Sequence, residues 1–313
     1  MHHHAARSSP RDKIIPVKWF IFIRNLSSMS PIAGAALWMT GALLSFTAMA
    51  IAGRELSDTM STFEILFLRS AVSLAIVVAF LPRLGMGAIR TRHLGMHLFR
   101  NIVHFGAQFG WFLGISLLPL ATVFALEFTI PIWSAALAVI FLGEKLNRGR
   151  IIAIVLGFGG VLVILRPGSE AIDIASLAVL GAAFGYAVSY IATKKLTQWD
   201  TPFVIIFYMN LIQLPFGLAP ALFDWVTPVT ADIPWILLVG VTGLTAHYSV
   251  TKAFMLADAT LILPIDFLRL PLISVVGFLF YSEGVDLALF VGAIVIFAGN
   301  YYNIRLESRR AAG

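Results

Sequence analysis

The chain has 313 residues, 59% of them hydrophobic and only 12% charged, with a mean hydropathy of +0.90 and a formal net charge of +6. Such a composition excludes an ordinary soluble domain and identifies an integral membrane protein, because a bilayer core of about 30 Å demands repeated runs of about 20 apolar residues. No cysteine is present, which excludes disulfides, zinc–thiolate centres and thiol catalysis. The basic residues fall in short loops between apolar runs, which argues for topology setting and against a nucleic-acid partner.

Residues 1–31 are basic and polar and are expected to form a disordered cytosolic arm, lying in part on anionic lipid. The apolar patch Trp19–Ile23 is too short to span or to serve as a signal-peptide core. Met29 stands directly before the first apolar run and is a candidate natural start. The His2–His4 run is taken as a tag remnant or a chance run, not a metal site.

Ten spans follow, near 32–52, 62–81, 94–117, 120–142, 150–166, 174–193, 203–223, 233–255, 260–281 and 287–304, so the fold class is an all-α integral membrane protein. With the N-terminus in the cytosol, sixteen Lys and Arg lie in cytosolic segments and two, Arg54 and Arg166, on the opposite side. This positive-inside bias puts both termini in the cytosol.

The chain repeats itself at about half its length. Ala121–Leu146 is echoed by Ala259–Val285: Glu127-Phe128 matches Asp266-Phe267, and Gly143-Glu144 matches Ser282-Glu283. The expected units are 32–170 and 171–305, five spans each, followed by a cytosolic tail at 306–313. An odd number of spans per unit forces the second copy into the membrane upside down, with binding near the midplane between the copies.

Several spans carry polar faces. In span three His97, Arg100, His104, Gln108 and Trp111 recur at helical spacing, with Asn101 at the edge, while Gly106, Gly110 and Gly114 form a packing ridge on another face. Span eight presents Thr242, Thr245, Ser249 and Lys252 with Tyr248 beside them. Span six presents Tyr186, Ser189, Tyr190 and Thr193 with a Gly181/Gly185 seam, and span seven adds Asn210 and Gln213. Such faces serve either interhelical hydrogen bonding or a wet cavity.

Four cations, Arg69, Arg100, Lys252 and Arg269, lie in or at the ends of spans. Asp266 and Arg269 are spaced i,i+3 and can pair. Glu127 has no basic partner on its own helix, so it either pairs across helices, with Arg100 or Lys252 as candidates, or titrates as a coupling group. Glu64 and Arg69 do not share a face. Glu144 and Glu283 sit at span ends as boundary or capping residues, and Pro131, Pro264 and Pro271 free carbonyls within spans four and nine. Nucleotide-binding, hydrolase and metalloprotease signatures are lacking, and His93 and His97 have no carboxylate in the local sequence. Neither catalysis nor a metal or cofactor is therefore expected.

The ten spans in two units, with the pattern LxPxAxxxxLExxxPxxxxxxxxxLGE at Leu118–Glu144 and a degenerate second copy, resemble the EamA-type drug/metabolite transporter superfamily. The resemblance covers residues 32–305. It implies a multi-pass carrier of the bacterial cytoplasmic (inner) membrane, with a central cavity between its halves and alternating access. It also implies a small-molecule solute, from vitamins such as riboflavin to amino acids and nucleotide-like metabolites. The second copy departs from the pattern: Tyr281-Ser282-Glu283 replaces Leu-Gly-Glu, and Arg269 has no charged counterpart at Ile130.

The candidate cavity joins the aromatics Trp38, Phe105, Trp111, Tyr186, Tyr190 and Tyr248 to Arg100, His104, Gln108, Thr245 and Ser249. This mixture suits a planar, polar, mostly uncharged molecule. Among the solutes the resemblance implies, riboflavin fits that description best. In the alternative, an exporter of amino acids, Arg100, Lys252 or Arg269 holds the carboxylate and Glu127 or Asp266 the amine. A third reading is a membrane subunit that transports nothing. Direction of transport and oligomeric state are not encoded in any of these features.

Overall fold

The computed structural model describes residues 31–142, 148–165, 173–256, 265–266, 268–284 and 286–311. All regular structure among them is helical: α1 (Pro31–Ser57), α2 (Thr62–Leu84), a 3-10 turn at Met86–Ile89, α3 (Leu94–Leu117), α4 (Leu120–Glu127), α5 (Ile130–Leu142) and α6 (Arg148–Leu165). Then come α7 (Ile174–Leu196), α8 (Pro202–Ala221), α9 (Ile233–Leu256), α10 (Arg269–Tyr281) and α11 (Leu287–Ala311). A spanning backbone must satisfy its polar groups internally, which is why apolar runs of this length become helices in lipid.

Among the described residues five helices are long and apolar enough to cross a membrane: residues Ala33–Ser57 of α1, and α2, α7, α8 and α9. At 24 residues, α3 is as long, but its buried polar row dilutes its hydropathy. Local signals set several helix ends. Ser61 accepts the Glu64 N–H at the start of α2, Asp173 that of Ala175 at α7, and Thr201 that of Val204 at α8, where Pro202 fills a first-turn position. Gly85, at φ +80°, closes α2.

Span four is broken. α4 stops at Glu127, a turn runs through Phe128–Thr129, and α5 starts at Ile130. Pro131 has no N–H to offer the Glu127 carbonyl, so the ladder ends where the acid sits. Thr129 Oγ1 donates to Leu126 O at 2.7 Å and Asn300 Nδ2 to Phe128 O at 3.2 Å, which takes up carbonyls at the break. In the second half α10 begins at Arg269, with Pro271 in its first turn. Pro264 and Glu144 lie outside the described residues.

Helix neighbours follow the duplication. α1 packs on α9 and α3 on α7, while α2 packs on α8, α4 on α10 and α6 on α11. Exchanging the two copies of the repeat maps the first two pairings onto each other and each of the last three onto itself. The α3/α7 contact is close because Gly110 and Gly185 lack side chains. A Cβ at Gly110 would stand 2.6 Å from Ala178 O, and one at Gly185 2.9 Å from Ala107 Cβ. Gly106 and Gly181 face open space, so each seam is shorter than its spacing suggests.

The distribution of polarity is inverted relative to a soluble protein. Leu44, Phe99, Ile102, Val155, Phe278 and Ile294 are exposed, whereas Arg69, His97, Arg100, His104, Gln108, Gln213 and Arg269 are buried. A helix bundle in lipid keeps its charges inside for this reason.

Candidate functional site

The polar face of α3 is the spine of the site. His97, Arg100, His104, Gln108 and Trp111 are all buried, and between them they reach α2, α4, α7, α8, α9 and the α7–α8 turn. Toward one end of the row Trp111 Nε1 donates to Glu127 Oε2 at 2.9 Å. The other Glu127 oxygen accepts from Arg269 Nη2, also at 2.9 Å, and the same nitrogen reaches Asp266 Oδ2 at 2.7 Å. One guanidinium thus serves two carboxylates, one from each half of the chain, and the trio carries a formal charge of −1. The Arg269 guanidinium carbon lies 5.0 Å from the Phe46 ring centroid and 4.7 Å from that of Phe124, held between two aromatic faces.

The i,i+3 pair of Asp266 and Arg269 is present as expected. The cross-helix partner of Glu127 is not: it is Arg269, and neither Arg100 nor Lys252. Arg100 donates from Nη1 to Asn101 Oδ1 at 2.7 Å and from Nε to Thr193 Oγ1 at 3.2 Å. Lys252 Nζ lies 5.7 Å from the Tyr248 ring centroid. The two charges meet because Glu127 ends α4 and Arg269 begins α10.

A second cluster forms around Arg69, which the sequence placed in a span without assigning it a role. Its Nη2 donates to Gln108 Oε1 at 2.9 Å and Gln213 Oε1 at 3.0 Å. Gln213 Nε2 meets His104 Nδ1 at 2.8 Å and the Asn101 carbonyl at 3.4 Å. The His104 ring stands 4.8 Å from that of His247 and 5.6 Å from that of Tyr186, edge to face in both cases. Arg69, Gln213 and His247 were missing from the expected set. Arg69 had shown a signal as a cation within a span and Gln213 as an amide within one, whereas His247 had shown none.

The aromatic residues divide into two groups. Tyr186 and Tyr190 stack at 6.3 Å, and Tyr190 meets Phe254 edge-on at 5.9 Å. Trp38 meets Tyr248 at 5.8 Å. Phe105 instead joins Phe63 and Phe216, away from the polar row of α3. Thr245 is exposed and shares a 2.9 Å hydrogen bond with Ser45 across the α1/α9 seam, while Ser249 is buried one turn further along.

Each end of the bundle has a polar tie. Glu283 accepts the Leu120 N–H through both oxygens, at 2.9 and 3.0 Å, and pairs with Arg54 Nη2 at 3.3 Å. The same Arg54 nitrogen donates to Leu118 O. At the other end His97 Nε2 meets Asp200 Oδ2 at 2.9 Å, and Thr91 Oγ1 reaches the same oxygen at 2.7 Å. His97 therefore belongs to a tie between α3 and the α7–α8 turn. Lys194 Nζ donates to Phe254 O at 2.8 Å on the same side.

Comparison with known proteins places this architecture. The EamA-like transporter family matches twice, at residues 33–166 and 173–305. The chain is similar to a riboflavin transporter of Vibrio cholerae, 30% identical over 288 residues that cover 90% of this chain and 96% of that protein. It is similar to a riboflavin transporter of Rhizobium johnstonii, 30% identical with coverages of 88% and 92%. It is also similar to an S-adenosylmethionine uptake transporter of Rickettsia bellii, 25% identical with coverages of 87% and 94%. A crystal structure 17% identical in sequence has the same fold, with a TM-score of 0.66 over 90% of this chain and 99% of that one. This chain is a membrane protein of the EamA-like transporter family, carrying two tandem copies of the family's domain.

Proposed function

We propose that this chain is a secondary carrier of the bacterial cytoplasmic membrane, built as ten spans in two inverted repeats at 32–170 and 171–305, which imports riboflavin by alternating access. In this reading both termini are cytosolic, with 1–31 as an arm and 306–313 as a tail. The helix pairings support the inverted repeat, since they survive exchange of the two copies. The similarity to two riboflavin transporters supports the solute class.

The observation that carries the reading is the row of buried aromatic and neutral polar groups shared by the two halves. Tyr186 and Tyr190 of α7 stack beside His104 and Gln108 of α3, with His247 of α9 against His104. His104 Nε2, Gln108 Nε2 and His247 Nε2 have no protein partner among the described residues. A planar ring with carbonyl and imino edges meets such groups by stacking and hydrogen bonding. Arg100, Trp111, Thr245, Tyr248 and Ser249 complete the proposed lining, and Glu127, Asp266, Arg269 and Lys252 are proposed to couple its movements to the charge of the site.

One observation favours a second solute. The acid excess of Glu127 and Asp266 over Arg269, beside aromatic faces, suits a cationic group such as the sulfonium of S-adenosylmethionine. In the amino-acid export reading Arg100, Lys252 or Arg269 holds the carboxylate and Glu127 or Asp266 the amine; of these, Arg269, Glu127 and Asp266 are engaged with one another. Uptake of labelled riboflavin into a riboflavin-requiring bacterium without its own importer tests the proposal. Saturable, gene-dependent uptake is expected, unaffected by excess S-adenosylmethionine. Uptake of labelled S-adenosylmethionine alone would overturn the riboflavin reading and install the second.

A further inference from the structure

Charge accounting inside the bundle leaves two arginines without a carboxylate partner. Arg69 is fully buried, Arg100 nearly so, and among the described residues neither meets a carboxylate. No acid among the described residues pairs with Arg69 or Arg100, although Glu64 Oε1 and Asp266 Oδ1 lack partners there. Glu127 and Asp266 hold Arg269, Asp200 holds His97 and Thr91, Glu64 accepts the Val226 N–H, and Asp232 accepts that of Val229. The two arginines are joined by amides alone: Arg69 to Gln213, Gln213 to the Asn101 carbonyl, and the Asn101 side chain to Arg100.

The unmatched atoms around Arg69 are almost all donors. Arg69 Nε and Nη1, Gln108 Nε2 and His104 Nε2 are buried without a protein acceptor among the described residues. The His104 atom counts as a donor because Nδ1 accepts from Gln213 Nε2, which places the ring proton on Nε2. Asn210 Oδ1, one turn along α8 from Gln213, is an unmatched acceptor, and His247 Nε2 beside His104 can act as one, but neither neutral group offsets a guanidinium. On α9 Gly243 leaves room for the Arg69 head group: a Cβ there would stand 3.0 Å from Nη1. A buried guanidinium without a counter-charge is costly in lipid, and a cluster of converging donors is what recognises an anion.

We propose that Arg69, with Gln108, Gln213 and His104, forms an anion-binding site inside the membrane, which takes a small monovalent inorganic anion or the carboxylate or phosphate group of a solute. The site shares His104 and Gln108 with the proposed solute cavity, and its test reads anion binding without riboflavin. An inorganic anion there serves as a resident counter-charge, whereas a solute's own anionic group makes Arg69 a specificity determinant.

Purified full-length protein in nanodiscs, in a buffer whose only other anion is a bulky sulfonate, tests this. Tm is read from tryptophan fluorescence during titration with chloride, acetate or inorganic phosphate at constant ionic strength. At least one of the three is expected to raise Tm saturably. Chloride acting alone identifies the inorganic anion, and action by acetate or phosphate identifies the group a solute would bring. R69Q should raise the half-saturating concentration at least tenfold, and R90Q, in the exposed α2–α3 connection, should leave it unchanged. Q108E supplies a carboxylate next to Arg69 and should start at a higher Tm and lose the response, which keeps the test decisive if R69Q does not fold. No saturable response to any of the three anions, or a response that persists in Q108E, would overturn the proposal.

Discussion

Glu283 caps the helix that begins at Leu120, although 163 residues separate them: both carboxylate oxygens lie within 3.0 Å of the Leu120 nitrogen. The cap joins the second copy of the repeat to the first, and Arg54 ties it to α1 through Glu283 and Leu118 O. An acid at a helix N-terminus meets the positive end of the helix dipole as well as its free N–H groups. In an alternating-access cycle this tie must break when the site opens on that side. E283Q keeps the shape and loses the charge, so it should populate the opened state. The chain has no cysteine, and S45C, at the α1/α9 seam, offers a conservative reporter. Its labelling by an impermeant maleimide from the outer side should rise several-fold in E283Q; equal labelling would remove the tie from the cycle.

The trio of Glu127, Asp266 and Arg269 predicts an asymmetry between neighbouring substitutions. R269Q strands the buried carboxylate of Glu127 and the half-buried one of Asp266, and removing one partner of a buried pair costs about 3–5 kcal/mol. E127Q leaves Arg269 bound to Asp266 and should cost clearly less. Thermal unfolding in detergent should rank the variants wild type, E127Q, R269Q in falling order. The reverse order would contradict the shared-guanidinium geometry.

Trp111 donates to Glu127 while its ring packs edge-on against Phe112 and Phe124. W111F keeps most of the ring and loses the donor. A hydrogen bond to a charged group contributes about 1.5–3 kcal/mol, so W111F should lower the unfolding midpoint measurably. E127Q should shrink that effect, which a double-mutant cycle reads directly.

The glycines of α3 should respond in opposite ways. G110A forces a methyl against Ala178 O, a backbone atom that cannot step aside, and overpacking of this kind costs about 1–3 kcal/mol. G106A meets nothing within 4 Å and gains helix propensity, about 1 kcal/mol at most. Opposite signs of the two Tm shifts are expected.

Much of this was legible in the sequence, and the misses share one cause. Helical spacing places His97 through Trp111 on one face, and i,i+3 spacing predicts the Asp266–Arg269 pair, because both are local. The partner of Glu127 lies 142 residues away and that of Arg69 on α8 lies 144 away, distances at which spacing carries no information. Arg69 stood out as a cation within a span but received no partner, because Glu64, the acid on its own helix, does not share its face and its partners are amides on α3 and α8. Pro131 signalled a loosened span four, but that the break falls at Glu127, opposite Arg269, becomes evident only from the packing of α4 against α10.

Flux into proteoliposomes tests the central claim most directly. Purified protein reconstituted into lipid should carry labelled riboflavin into the lumen, saturably, with competition by unlabelled riboflavin and strong loss in Q108A. Protein-free liposomes should show neither. Absence of riboflavin flux from correctly inserted, folded protein would contradict the assignment.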